Sequence, residues 1–196
     1  MFPGAHAAHH PSKPAVIMAA DGSVQTYAEL DAGANRLSQL FRRAGLQPGD
    51  HVALCMENHP RYLEVLWGCH YAGLIYTATS SRLTSGELSY IINDCGAKAF
   101  IASRYKADQA AEIAADMPEV SIRLMLDGVI DGYLSYEDET AKCPAEPLEG
   151  RVAGIDMLYS SGTTGQPKGV KKEPDATPLD EASGTVAPML SVLFGA

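Results

Sequence analysis

The residues from Tyr159 to Val170, YSSGTTGQPKGV, set two serines and two threonines beside three glycines, one proline and one lysine. Gly162, Gly165 and Gly169 favour backbone conformations with positive φ, and Pro167 removes a backbone donor. The stretch is therefore expected to be a loop dense in N–H groups and small hydroxyls. Successive N–H groups of a glycine loop form a concave nest for anionic oxygens. Ser160, Ser161, Thr163 and Thr164 add rotatable donors, and Lys168 adds a compact point charge. That inventory suits a polyphosphate.

Two common phosphate loops do not match. The P-loop pattern G-x-x-x-x-G-K-[ST] needs a glycine before the lysine and a hydroxyl after it, whereas Lys168 lies between Pro167 and Gly169. The dinucleotide fingerprint fails because the loop contains no G-x-G. The stretch instead resembles the phosphate-binding signature of the adenylate-forming superfamily: acyl-CoA synthetases, aryl-CoA ligases, luciferases and peptide-synthetase adenylation domains. Every position fits, with Gln166 where that family varies. TYAELD, GLQPGDHVAL, YAGLIYT and LTSGELSYIINDCGAKAFIAS are similar as well, so the resemblance covers residues 13–172.

The resemblance implies a two-step reaction. A carboxylate attacks the α-phosphorus of ATP, giving an acyl-adenylate and pyrophosphate, and coenzyme A then displaces AMP. It also implies that Ser160, Ser161, Gly162, Thr163, Thr164, Gly165 and Lys168 hold the β- and γ-phosphates together with Mg²⁺. Fixed donors would orient the pyrophosphate and stabilise its developing charge. These are binding residues, and no acid–base catalyst is expected within the chain. The implied ligands are ATP, Mg²⁺, coenzyme A and a fatty or other hydrophobic carboxylic acid. The sequence ends at Ala196, soon after the motif, while the family's adenine, metal and ribose motifs and its mobile C-terminal domain lie further downstream. The expectation is the N-terminal portion of a stand-alone acyl-CoA synthetase, inactive by itself. A non-catalytic nucleotide-binding or scaffold module is the alternative.

The loop has to be delivered by a framework, and the upstream sequence alternates strand and helix patterns. AVIMA (15–19) and VQTY (24–27) form a hairpin across the Asp21-Gly22 turn. Thr26 with Glu29, and Thr84 with Glu87, have the spacing of capping boxes. Helices are expected over 27–44, 59–72, 85–95 and 104–116, with Tyr62, Leu63, Leu66 and Trp67 on the apolar face of the second. Strands are expected at 51–56, 74–79, 98–103, 121–126 and 155–160, the last delivering the loop at its carboxyl end. Such alternation predicts an α/β fold, mostly parallel, with helices on both sheet faces. Residues 1–12 are expected to be a flexible leader, 13–172 the α/β domain, and 173–196 loop with a short apolar segment. Residues 127–154 are expected to be surface loop with at most one helical turn.

Composition narrows the functional classes. In 196 residues with a net charge of −9 there is no basic patch beyond the pairs Arg42-Arg43 and Lys171-Lys172, which argues against nucleic acid. No apolar run reaches the ~20 residues of a membrane span, and no secretory signal pattern opens the chain. Cys55, Cys69, Cys95 and Cys143 are widely spaced, so free thiols in a cytoplasmic protein are expected. His6, His9 and His10 fit an unstructured leader better than a metal site, and His51, His59 and His70 fit element boundaries or surface. Trp67, Tyr62 and Tyr71 fit packing better than an acyl pocket.

Overall fold

The computed structural model describes residues 2–160, 167–170 and 177–179. The chain opens with a short helix, α1 (Pro3–Ala7), and an antiparallel hairpin, β1 (Pro14–Ile17) with β2 (Val24–Thr26). Then follow α2 (Tyr27–Arg43), β3 (His51–Cys55), α3 (Tyr62–Tyr71), β4 (Ile75–Thr79), α4 (Ser85–Asp94) and β5 (Ala97–Ser103). The remainder comprises α5 (Ala107–Glu112), β6 (Ile122–Leu126), β7 (Leu134–Ser135), α6 (Tyr136–Ala141), β8 (Ile155–Asp156), β9 (Leu158–Ser160) and β10 (Lys168–Val170). Six strands form one parallel sheet in the order β7-β6-β5-β3-β4-β8.

Both faces of the sheet are covered, which is why its central strands are apolar on both sides. Val52, Leu54, Ile101 and Leu124 pack against Leu37 and Phe41 of α2, Val65 of α3 and Tyr136 of α6. Ala53, Phe100, Ala102 and Met125 meet Leu88 and Ile92 of α4, and Ile113 and Met117 beyond α5. Both expected capping boxes are present. Thr26 Oγ1 accepts from the Glu29 N–H at 3.3 Å while Glu29 Oε2 accepts from the Thr26 N–H at 2.8 Å, and Thr84 with Glu87 repeats both distances. All four cysteines are buried free thiols.

Several local expectations are corrected. Residues 2–12 are not a loose leader: Pro3 opens α1, where its missing N–H costs nothing, and the Gly4 N–H donates to the Tyr71 hydroxyl at 3.1 Å. His6 stacks on Tyr27 at 4.9 Å. The first hairpin closes through a four-residue loop, with the Met18 N–H donating to Ser23 O at 2.9 Å, rather than a tight Asp-Gly turn. The helix expected over 104–116 is a short α-helix between two 3₁₀ turns, Arg104–Lys106 and Ala114–Asp116. Pro118 keeps Met117 out of the helical region, and the chain tightens ahead of it.

In α3 the buried face is Glu64, Val65, Gly68, Cys69 and Tyr71, while Leu63 is exposed and Tyr62, Leu66 and Trp67 are half-buried. Tyr62, Leu66 and Trp67 flank that face and pack against the core clusters, so Leu63 alone of the four is exposed. Residues 127–154 hold more structure than a loop, since Ser135 caps α6 by accepting from the Asp138 N–H at 3.1 Å. Tyr133, Tyr136 and Cys143 are buried there. Finally, 155–160 is two strands. Gly154 lets the chain pass the end of α3, for a Cβ there would lie 2.4 Å from Leu74 O. β8 then joins the sheet beside β4, and β9 turns away from it to pair with β10.

Candidate functional site

The departure of β9 from the sheet creates the site. β8 pairs with Ile75 and Tyr76 at the start of β4, and the Met157 N–H still reaches Tyr76 O at 2.9 Å. Beyond that point the second half of β4 has no strand on this side among the described residues. A cleft of about 320 Å³ opens there between Thr77–Ser80, Ile91 of α4, and Leu158, Tyr159, Ser160 and Pro167 of the hairpin. Ser160 and Pro167 bracket residues 161–166, so the cleft runs up to the base of the glycine-rich loop.

Two of the seven residues expected to bind phosphate lie in described parts of the chain. Ser160 ends β9 and Lys168 begins β10, directly opposite each other in the antiparallel register. Both are exposed, and Ser160 Oγ lies 3.5 Å from Lys168 O as donor. Ser161, Gly162, Thr163, Thr164 and Gly165 lie outside the described residues. Gly169 does not need positive φ as expected, because it sits within β10. It provides room instead: a Cβ there would lie 2.3 Å from Met157 Cε and 3.0 Å from Tyr159 Cζ.

Sequence reasoning missed the anchor of this hairpin. The Tyr159 hydroxyl donates to Asp94 Oδ2 at 2.5 Å, and Tyr90 donates to Asp94 Oδ1 at 3.4 Å. Burial first, and then the Asp94 carboxylate, push the Tyr159 phenol well above its ordinary value, so at neutral pH it is a protonated donor. No spacing rule links residues so far apart in the chain.

Other polar groups are already committed to partners. α3 and α5 follow the neighbouring strands β3 and β5 on opposite faces, which makes the gap between those strands the switch point where open α/β sheets take ligands. Two internal pairs tie the carboxyl end of β3 to those of β5 and β6. Ser103 donates to Glu57, and His59 Nε2 donates to Asp127 at 2.8 Å while its Nδ1 accepts from the Arg61 N–H. His59, expected at an element boundary or the surface, lies between β3 and α3 and is buried by this arrangement.

A larger cleft of about 670 Å³ lies between the β1–β2 hairpin and the starts of α2 and α3, away from the loop. Its floor is Glu64, whose carboxylate accepts from Gln25, Arg61 and Tyr136 at 2.8–2.9 Å. Gly33 makes room for that carboxylate, so we read the cluster as structural. Trp67 and Tyr71 pack with Phe2, Ala34 and Ala153 and line neither cleft. Among the described residues no group of three His, Cys, Asp or Glu side chains could hold a metal ion.

Comparison with known proteins agrees with this architecture. A family model described as AMP-binding enzyme matches residues 4–174. A fatty acid–[acyl-carrier-protein] ligase of Streptomyces coeruleorubidus is 33% identical over 166 residues, covering 84% of this chain and 31% of that protein. A feruloyl-CoA synthase of an Amycolatopsis species is 38% identical over 152 residues, covering 76% of this chain and 28% of its own length. The chain thus spans under a third of these relatives, as their N-terminal portion. Among solved structures, the N-terminal domain of FACL13 from Mycobacterium tuberculosis superposes with a TM-score of 0.74 at 28% identity, over 86% of this chain and 42% of that one.

Proposed function

Because this chain belongs to the AMP-binding enzyme family, we propose that it is the N-terminal portion of an ATP-dependent carboxylate–CoA ligase whose glycine-rich loop holds the polyphosphate of ATP. The observation that carries the reading is the hairpin. It brings exposed Lys168 opposite exposed Ser160 at the two ends of a Ser/Gly/Thr segment, beyond the carboxyl end of an edge strand. A cation and a hydroxyl held that close suit neighbouring phosphate oxygens. The loop donors Ser161, Gly162, Thr163, Thr164 and Gly165 complete the set in this reading.

Mg²⁺ belongs to the proposal as the partner of the phosphates. The substrate class proposed is a hydrophobic carboxylic acid, with coenzyme A as acceptor and the cytoplasm as location. No helix among the described residues is long and apolar enough to cross a membrane. The test is exchange of labelled pyrophosphate into ATP by the full-length protein, in the presence of Mg²⁺ and a panel of aliphatic, aromatic and sterol-type acids. We expect exchange that depends on both metal and acid. No exchange with any acid would refute the ligase reading.

A further inference from the structure

The β9–β10 hairpin has three residues in each strand and, among the described residues, pairs only with itself. An isolated two-stranded hairpin is marginal in water, so the position of Ser160 and Lys168 depends on what ties the hairpin to the body of the fold. Leu158 and Val170 face solvent. Tyr159 points the other way, across Gly169, and its hydroxyl ends on Asp94. We propose that Asp94, acting through Tyr159, is a positioning residue for the phosphate-binding loop: the carboxylate–phenol bond clamps the hairpin so that both ends of the loop are presented in one geometry. The role in nucleotide binding rests on the ligase reading above.

Three features support the clamp. Asp94 is the last residue of α4, whose last turn has no basic side chain. A carboxylate opposes the helix dipole at that end, so the local helix gains nothing from it and its use is tertiary. The bond is also charge-assisted, which makes it stronger than a neutral hydrogen bond. Register completes the argument. Tyr159 precedes Ser160 and lies opposite Gly169, which follows Lys168, so any swing of the phenol moves both loop ends together. The absent side chain at Gly169 is what lets the ring lie across the hairpin and reach the helix.

Hydrogen exchange read by mass spectrometry on the 196-residue chain tests the clamp directly. In Asp94→Ala and Tyr159→Phe, peptides covering β9 and β10 should exchange about tenfold faster, while those covering β5 keep their protection. Asp94→Asn retains an acceptor oxygen and should restore most of the difference, which separates loss of the bond from general damage to the fold. In the full-length protein, Asp94→Ala and Tyr159→Phe should raise the KM for ATP about tenfold in pyrophosphate exchange. Thioester formation from preformed acyl-adenylate should stay near the unmodified rate. Unchanged exchange in β9 and β10 would overturn the clamp, and faster exchange with an unaltered KM for ATP would overturn its positioning role. If the unmodified protein shows no pyrophosphate exchange, the ligase reading fails and the nucleotide role falls with it, while hydrogen exchange still decides the clamp.

Discussion

Lys168 concentrates the chemistry at the scale of a single residue. It is exposed and makes no ion pair among the described residues, and in the proposed reading its charge meets the phosphates of ATP. A charge-assisted contact of this kind contributes about 1.5–3 kcal/mol. Lys168→Ala in the full-length protein should therefore slow adenylation by ~10- to 150-fold. Thioester formation from preformed acyl-adenylate should change far less, because pyrophosphate has already left. Stopped assays of the two half-reactions measure this, and equal losses in both would make Lys168 a structural residue. The types of the site residues were legible in the sequence, but their reasons were only partly so. Gly169 was read as a source of positive φ, yet it serves close packing under Tyr159. Composition alone does not separate those two uses of glycine.

Helix starts were the most legible feature at the scale of elements, because a capping box is a local chemical pattern. Both Thr–Glu boxes form, at α2 and at α4. The backbone N–H of the capping threonine, and then its hydroxyl, hold Glu29 and Glu87 below the ordinary carboxylate value of 4.5. A carboxyl depressed in the fold contributes stability above its unfolded value, and that contribution is lost as pH falls through the folded one. Helix content should thus fall below about pH 4.5, and less of that loss should remain in a chain carrying Thr26→Ala and Thr84→Ala. Circular dichroism during acid titration is the measurement. An identical acid profile in both chains would show that other carboxylates govern the transition. Packing faces were less legible than caps. The stripe Tyr62, Leu63, Leu66 and Trp67 was as apolar as the true face, but the core accepts Glu64 because three donors satisfy its carboxylate. Two of those donors, Gln25 and Tyr136, come from elements distant in sequence, which periodicity does not register.

At the scale of the whole molecule, strand–helix alternation was enough to predict a parallel sheet covered on both faces. It was not enough to show that the final strand splits, because the split depends on the pairing partner available to β9. Leu74 and Ile75, at the start of β4, are buried between neighbouring strands and helices. Among the exposed apolar residues, which also include Leu63, Tyr105, Val129 and Leu134, four form cross-strand pairs on the two small hairpins. Ile17 (66% exposed) faces Val24 (51%) on β1–β2, and Leu158 (58%) faces Val170 (54%) on β9–β10. Each pair projects from a two-stranded ribbon whose edges can add a further strand, the combination that favours edge-to-edge association. The isolated 196-residue chain should therefore be larger than a monomer by light scattering at micromolar concentration. Leu158→Ser with Val170→Thr should move it toward monomer, because the pair adjoins the cleft where the second half of β4 has no strand on that side among the described residues. The corresponding change at Ile17 and Val24 should have the smaller effect, since β2 runs directly into α2 and that helix packs along the hairpin. A monomeric unmodified chain would mean that these apolar pairs are too small or too well separated to drive association.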